Sequence, residues 1–472
     1  MSKVLQKFED TKKILDKTSC SLCLAKWSQV TLHLQLGHNH SCHHPAMHKI
    51  PLEEIASNPS ALHNTKYKKE MRKQMLEGER PKECDYCWRV EDSSKDNKTF
   101  SDRITKSSED WSMPLHDKIV SQPYDTDINP SYLEVSFSNV CNFKCSYCSP
   151  EISSKWMEEV KQYGGYPTHK VYNNPEWLAA EGRMPIPHNQ ENPYVNAFWE
   201  WWPNLYPELK VFRITGGEPL LSKDTFKVLD YIIENPNPNL ELNINSNLNV
   251  PDGLFNKFIE KMKRIQGEGL VKEFKIYTSC EAKGAKTEYI RFGMDYNKWK
   301  DNLCRVLSEI PRSKVANMAT YNLLSVSSYK EFLADMIEIR NGFVTKERIT
   351  PLSLDTSYLR WPWHQTVFLL DNSYLKQVEE TVTYMYKNPE VSVWFPLTGK
   401  GFYDFEIHRM RRIYSVMQDK LNDTSDEKIK KININKRDFA IFVDEHDRRR
   451  GTDFLKTFPE YEDFYNSCKT LI

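Results

Sequence analysis

Three thiols fall within eight residues in Cys141-Asn142-Phe143-Lys144-Cys145-Ser146-Tyr147-Cys148. In a compact loop a C-x3-C-x2-C spacing can turn three sulfurs toward one point. Thiolates are the usual ligands of iron–sulfur clusters, and three of them leave one iron of a [4Fe–4S] cube without a protein ligand. An open position on a metal is where a substrate or cofactor binds. Two other readings stand beside this one. The same spacing suits a three-cysteine zinc site, or three small residues on one helix face, because i, i+4 and i+7 coincide there.

Five further cysteines precede the triplet: Cys20, Cys23, Cys42, Cys84 and Cys87. Thirteen residues separate Cys23 from Gly37, and four separate Gly37 from Cys42; the glycine suits a tight hairpin turn that brings two cysteines together. Cys84 and Cys87 could complete a four-thiolate site. The alternative joins Cys20 and Cys23 to Cys84 and Cys87 as a four-cysteine structural zinc site. The histidines crowded at 33–48 (His33, His38, His40, His43, His44, His48) read as a solvated polar hairpin or as additional metal ligands. Cys280, Cys304 and Cys468 stand alone.

Short apolar strands alternating with amphipathic helices must position the triplet. Strands are expected at 132–137, 209–214, 240–245, around Phe274 and Ile276, at 315–323 and, more weakly, at 349–354. Between them Phe226, Leu229, Ile232 and Ile233 share one helix face that Asn235-Pro236 ends, and Leu254, Phe255, Phe258, Ile259 and Met262 share another. Ser328 and Glu331 read as a capping box before Phe332 and Met336. Such alternation argues for a parallel sheet. Residues 141–148, 216–218, 246–247, 279–281 and 321–322 all follow strand ends, which converge on one ligand-binding face in a (β/α) barrel. A polar stretch at 91–110 reads as a linker. The aromatic insertion at 164–207, with Trp199, Trp201 and Trp202, is read either as a roof over the site or as core. The tail contains a charged stretch at 422–436 and Arg448-Arg449-Arg450, read as an anion site or as a solvated, acid-paired face.

The chain has 472 residues, enough for two to four domains of about 100–200 residues. Sixty-five Lys+Arg balance sixty-five Asp+Glu, which removes a global electrostatic case for nucleic acid or an anionic membrane. No apolar run approaches the ~20 residues of a membrane span. The charged N-terminus lacks a signal-peptide apolar core, so a cytoplasmic chain with reduced thiols is expected.

The C-x3-C-x-aromatic-C triplet after the first strand resembles the signature of radical S-adenosylmethionine (SAM) enzymes. Gly216-Gly217-Glu218-Pro219 resembles their GGEP motif, which receives the amino group of SAM, and Ser246-Asn247 resembles part of their Thr-Asn-Gly, with Leu248 in place of the glycine. Ser279 and Arg291 are similar to the Ser-x-Asp…Arg pattern of peptide-modifying members, where they hold SAM's ribose and carboxylate; Glu281 stands where Asp is usual. The 23–42 hairpin resembles those of SPASM and twitch domains. The resemblance implies a [4Fe–4S] cluster on Cys141, Cys145 and Cys148, SAM bound near Tyr147, Gly216, Gly217, Glu218, Ser246, Asn247, Ser279 and Arg291, and an auxiliary [4Fe–4S] cluster on Cys23, Cys42, Cys84 and Cys87. It implies reductive cleavage of SAM to a 5′-deoxyadenosyl radical that abstracts hydrogen from a substrate, a peptide or protein first and a small metabolite second, with flavodoxin or ferredoxin as electron donor. No catalytic residue is assignable beyond these sites. The expected architecture is α/β: a Cys/His-rich module and linker (1–120), a partial (β/α)6 TIM-like barrel (128–355), and an irregular α-rich extension (356–472). The rival from another class is a non-catalytic zinc-binding interaction protein.

Overall fold

The computed structural model describes residues 3–93, 99–346, 348–394, 398–422 and 425–472. Its strands in chain order are β1 (Gln29–His33), β2 (His38–His40), β3 (His48–Lys49), β4 (Tyr132–Ser136), β5 (Lys144–Cys145), β6 (Val211–Thr215), β7 (Asn237–Asn245), β8 (Val271–Thr278), β9 (Arg291–Phe292), β10 (Lys314–Tyr321), β11 (Leu352–Tyr358), β12 (Val391–Trp394) and β13 (Thr398–Lys400). Five of the six expected strands lie where alternation puts them, and the weak sixth is displaced to β11. The chain is therefore mixed α/β, with its long strands mainly parallel. It divides into two compact units: residues 1–138, 186–216 and 235–243, and residues 139–185, 217–234 and 244–472.

In the first unit β4 pairs in parallel with β1 and β6, burying Leu133 and Val135 completely. β1 turns into antiparallel β2 around Gly37, whose φ of +65° favours glycine. The expected hairpin glycine is thus at the turn. The hairpin is not solvated: His38 and His40 are each 8% exposed, and the Nε2 atoms of His33 and His40 lie 3.1 Å apart. β2 is covered because it runs between β1 and β3. The end of helix Asp85–Ser93 and helix Asp102–Ser107 occupy parts of the expected linker, and Arg103, buried against Glu91 at 2.8 Å, ties them together. Residues 94–98 of that stretch lie outside the described residues. Trp202 and Phe198 of helix Pro193–Leu205 pack on Phe212 and Phe137, so this half of the insertion is core.

In the second unit β10 pairs in parallel with β8 and β11. Helix Lys223–Glu234 buries Phe226, Leu229 and Ile232 and ends before Asn235-Pro236, as its pattern requires. Ser328 precedes helix Tyr329–Phe343 but does not cap it, because its hydroxyl accepts the Lys283 N–H instead. The tail is regular rather than irregular: helices Asn372–Lys387, Asp404–Asn422 and Asp426–Arg450 account for most of it. Residues 423–424 of its charged stretch lie outside the described residues. Among the described residues, no helix is long and apolar enough to cross a membrane.

The tail is locked to β11 by a fully buried ion pair. Arg340 donates to Glu406 at 2.9 Å and to the Leu352 carbonyl at 2.7 Å, while Glu406 accepts the Leu354 N–H at 2.7 Å. Glu406→Leu leaves the guanidinium buried and uncompensated, and is expected to lower stability by about 3–5 kcal/mol, read as a shift of the urea midpoint. Glu268→Gln, which breaks the half-exposed pair with Arg264, shifts it by under about 1 kcal/mol. Equal shifts in the two variants would remove the Arg340 pair as the lock.

Candidate functional site

The cysteine triplet sits on a loop, not on a helix face. Only Lys144–Cys145 is extended, as β5 paired antiparallel with β9 so that Cys145 faces Arg291. Side chains from distant parts of the chain hold the loop's carbonyls. Trp156 Nε1 donates to the Cys145 carbonyl at 2.8 Å, Ser153 Oγ to that of Phe143 at 2.7 Å, and Asn173 Nδ2 to that of Cys148 at 2.9 Å. Gln365, completely buried, accepts from Ser146 Oγ at 2.7 Å and donates to the Ser146 carbonyl at 3.0 Å. A loop satisfied in this way is preorganised, and its thiols need little rearrangement to act as ligands. Burial pushes all three thiols above their ordinary range, Cys148 to about 12, and the nearby Cys145 adds to the rise at Cys141 and Cys148, while Arg291 opposes it at Cys145.

Gly217 and Glu218 cross directly against this loop. A Cβ on Gly217 would lie 2.3 Å from the Val140 carbonyl, and the Glu218 N–H donates to that same oxygen at 2.7 Å. Gly216 has φ +124°, and a Cβ there would meet Ser136 Oγ at 2.5 Å. The two glycines thus serve close backbone approach. The Glu218 carboxyl accepts from Ser246 Oγ at 2.8 Å, Asn247 N–H at 2.6 Å and Leu220 N–H at 3.0 Å. Burial nevertheless pushes it up to about 7. Asn247 Nδ2 donates to Asn142 Oδ1 at 2.8 Å, next to Cys141. Leu248 keeps a left-handed φ of +55° although it has a side chain, so the turn that a glycine would make easily is retained under strain.

Arg291 and Glu281 form a buried pair: Nε and Nη2 reach Oε2 at 3.0 and 2.6 Å. Tyr147 donates to Oε1 at 2.9 Å, and Arg291 Nη1 points at Cys145 Sγ from 3.8 Å. Burial opposes the charge, but Glu281 beside it holds Arg291 firmly protonated. Arg291 is therefore neither a surface ion pair nor fully open to a ligand. Ser279 is half-buried and caps no helix. Asn322 does not join the site, since its side chain closes the turn Leu323–Ser325.

The Arg448–Arg450 run splits by burial. Arg448 is an exposed partner of Glu445. Arg449 donates to the Gly164 and Gly165 carbonyls, each at 3.0 Å. Arg450, fully buried, pairs with Glu159 at 3.0 Å and donates to the Lys144 carbonyl at 2.7 Å. Burial works against the Glu159 charge, yet Arg450 and Lys144 hold its carboxyl down at about 2. This brace between tail and cysteine loop was not anticipated; the sequence marked the run without marking which arginine turns inward.

In the first unit Cys23, Cys42, Cys84 and Cys87 line one small space, a cavity of about 20 Å³. Cys20 is exposed and lies outside it. Lys26, Lys106 and Arg103 line the same void, and His44 there pairs with Asp102 at 2.8 Å. Burial pushes Cys84 and Cys87 up to about 12. Among the described residues no three His, Cys, Asp or Glu side chains are placed to hold a single metal ion.

No protein-family model matches the chain. It is similar to the GTP 3′,8-cyclase of Pasteurella multocida (strain Pm70), 34% identical over 105 residues, or 22% of this chain and 23% of that protein. It is similar also to the GTP 3′,8-cyclase of Psychromonas ingrahamii (strain DSM 17664 / CCUG 51855 / 37), 33% identical over 105 residues, 22% of each chain. The matched region spans less than a quarter of these relatives' length.

Proposed function

We propose that the chain is a radical SAM enzyme whose Cys141, Cys145 and Cys148 hold a [4Fe–4S] cluster. The observation that carries this reading is the caged three-thiol loop, crossed by Gly217-Glu218 and backed by Arg291. The partial similarity to GTP 3′,8-cyclases, which are radical SAM enzymes, supports it. When bound, the cluster and SAM would supply an electron and a 5′-deoxyadenosyl radical able to take hydrogen from a substrate. The chain's own residues bind and orient. Glu218, fixed by Ser246 and Asn247, would offer its carboxylate to the ammonium of SAM, Ser279 would serve its ribose and Arg291 its carboxylate, with Glu281 holding Arg291 and Tyr147 in place. The parallel strands support the partial-barrel reading of this region. Cys23, Cys42, Cys84 and Cys87 hold an auxiliary cluster on the same reading. Of the two substrate classes, peptide and small metabolite, the second is favoured by the cavity described in the next subsection.

Anaerobically reconstituted, reduced protein is expected to release 5′-deoxyadenosine from SAM, measured by chromatography and mass spectrometry, and Cys141→Ala to abolish release and lower iron by about four atoms per chain. Wild type that makes none while holding iron equal to Cys141→Ala would sink the proposal. Cys42→Ala should likewise cost about four irons, with Cys20→Ala costing none; zinc in place of iron, lost in Cys20→Ala, would favour the zinc site instead.

Glu218 supplies a pH test. Its native carboxyl is raised to about 7, so the carboxylate that favours an ammonium is present above that pH and lost below it. SAM affinity, measured by calorimetry, should fall up to about tenfold per pH unit between pH 7 and 5, and Glu218→Gln should flatten that slope. An unchanged slope in the variant would remove Glu218 from SAM binding.

A further inference from the structure

Beyond the end of β11 the second unit contains a cavity of about 740 Å³, lined in part by the charged stretch of the tail and by none of the cysteines. That volume is typical of a small-molecule pocket. Arg360, Lys420, Lys428 and Lys431 line it, with Tyr358 and Trp363; Glu427 is the only carboxylate among its described lining residues. Four cations against one acid is a strong local imbalance in a chain whose total charge is zero. Among the described residues Arg360, Lys420 and Lys431 make no ion pair. Each lies over a ring instead: Arg360 over Tyr358 at 5.7 Å, Lys420 over Phe368 at 5.3 Å, and Lys431 over Trp363 at 5.6 Å. Lys170, also 5.8 Å from the Trp363 ring, donates to Asn435 of the cavity wall at 2.8 Å. Partial burial and the neighbouring Lys431 pull Lys170 below its usual range, although Asp438 opposes them. The floor is fixed, since Leu359, Thr366, Leu369 and Asn435 are all buried.

We propose that this cavity binds a small phosphate-bearing molecule, its phosphate held by Arg360, Lys420 and Lys431 and its uncharged part against Tyr358 and Trp363. Ammonium groups suit phosphate as point charges, and a guanidinium reaches it through two parallel N–H groups. The cavity is also tied to the cysteine loop. Trp363 lies two residues before Gln365, which clasps Ser146, and the Trp361 ring lies 5.3 Å from Tyr172, whose hydroxyl bonds the Ser146 and Cys148 carbonyls. Calling the occupant the substrate rests on the radical SAM reading; the anion site itself does not.

Calorimetric titration of the full-length, metal-free protein with inorganic pyrophosphate, at constant ionic strength, tests the site without cluster or SAM. The expected result is saturable one-to-one binding, weakened at least tenfold by Lys420→Gln and by Lys431→Gln and unchanged by Lys227→Gln, which lies at a different surface cavity. Circular dichroism of each variant checks that the fold is kept. Binding equal in all four proteins, or no tighter than that of sulfate and chloride, overturns the proposal. Because the radical SAM reading is tested separately by iron content and 5′-deoxyadenosine, either can fail while the other stands.

Discussion

The burial of Arg291 against Glu281 is the constraint around which the cysteine loop is organised. A guanidinium 6% exposed is tolerable only beside a carboxylate, and Glu281 is completely buried in turn. Neither could survive alone, because an uncompensated charge at that depth costs several kcal/mol. The pair therefore fixes its neighbours. β9 is held against β5 with Cys145 opposite Arg291, Tyr147 is pinned through its hydroxyl, and the remaining guanidinium nitrogen is aimed at a sulfur. A thiol so placed gains stabilisation on becoming a thiolate, the form a metal requires.

That gain matters because burial favours the neutral form of all three thiols. Burial raises Cys141, Cys145 and Cys148 together, and the nearby Cys145 adds to the rise at Cys141 and Cys148. A metal bound at the triplet would therefore expel protons, and the cations nearby would lessen the cost. The two structural carboxyls near the loop are driven in opposite directions for the same reason. Glu159, paired with Arg450 and Lys144, stays ionised; Glu218, buried among neutral donors, does not do so readily. The first ties the tail to the loop, and the second is held by the Ser246 hydroxyl and the Asn247 and Leu220 N–H groups. The charge state of each carboxyl is thus set by its neighbours, not by residue type.

The sequence made legible what is local. The triplet spacing, the hairpin glycine at 37, the alternation of β4, β8 and β10 and the stripe ending at Asn235-Pro236 follow from short-range rules, and the structure has them in place. It was silent about partners brought from afar. Tyr172 and Gln365 grip the loop carbonyls without any motif, since one hydroxyl or amide carries no spacing pattern. That Cys42 and not Cys20 lines the same space as Cys23, Cys84 and Cys87 is a tertiary fact that spacing does not carry. The histidines misled because a polar hairpin is solvated only where nothing pairs with its far strand, and β3 does. Ser328 misled because a competing donor, the Lys283 N–H, took its hydroxyl.

Net charge illustrates the same limit. A balance of zero describes the far field, which decides whether a polyanion is drawn in from a distance. It does not describe the field inside a pocket, where separations are a few ångströms and the low-dielectric wall strengthens each interaction. Arg360, Lys420 and Lys431 are scattered over some seventy residues of the chain, so no window of sequence reveals them as a group. Only the fold of the tail, with helices Asp404–Asn422 and Asp426–Arg450 following β11, gathers them onto one wall. The segment least patterned in sequence thereby supplies both the brace on the cysteine loop and the four cations that line the cavity beyond β11.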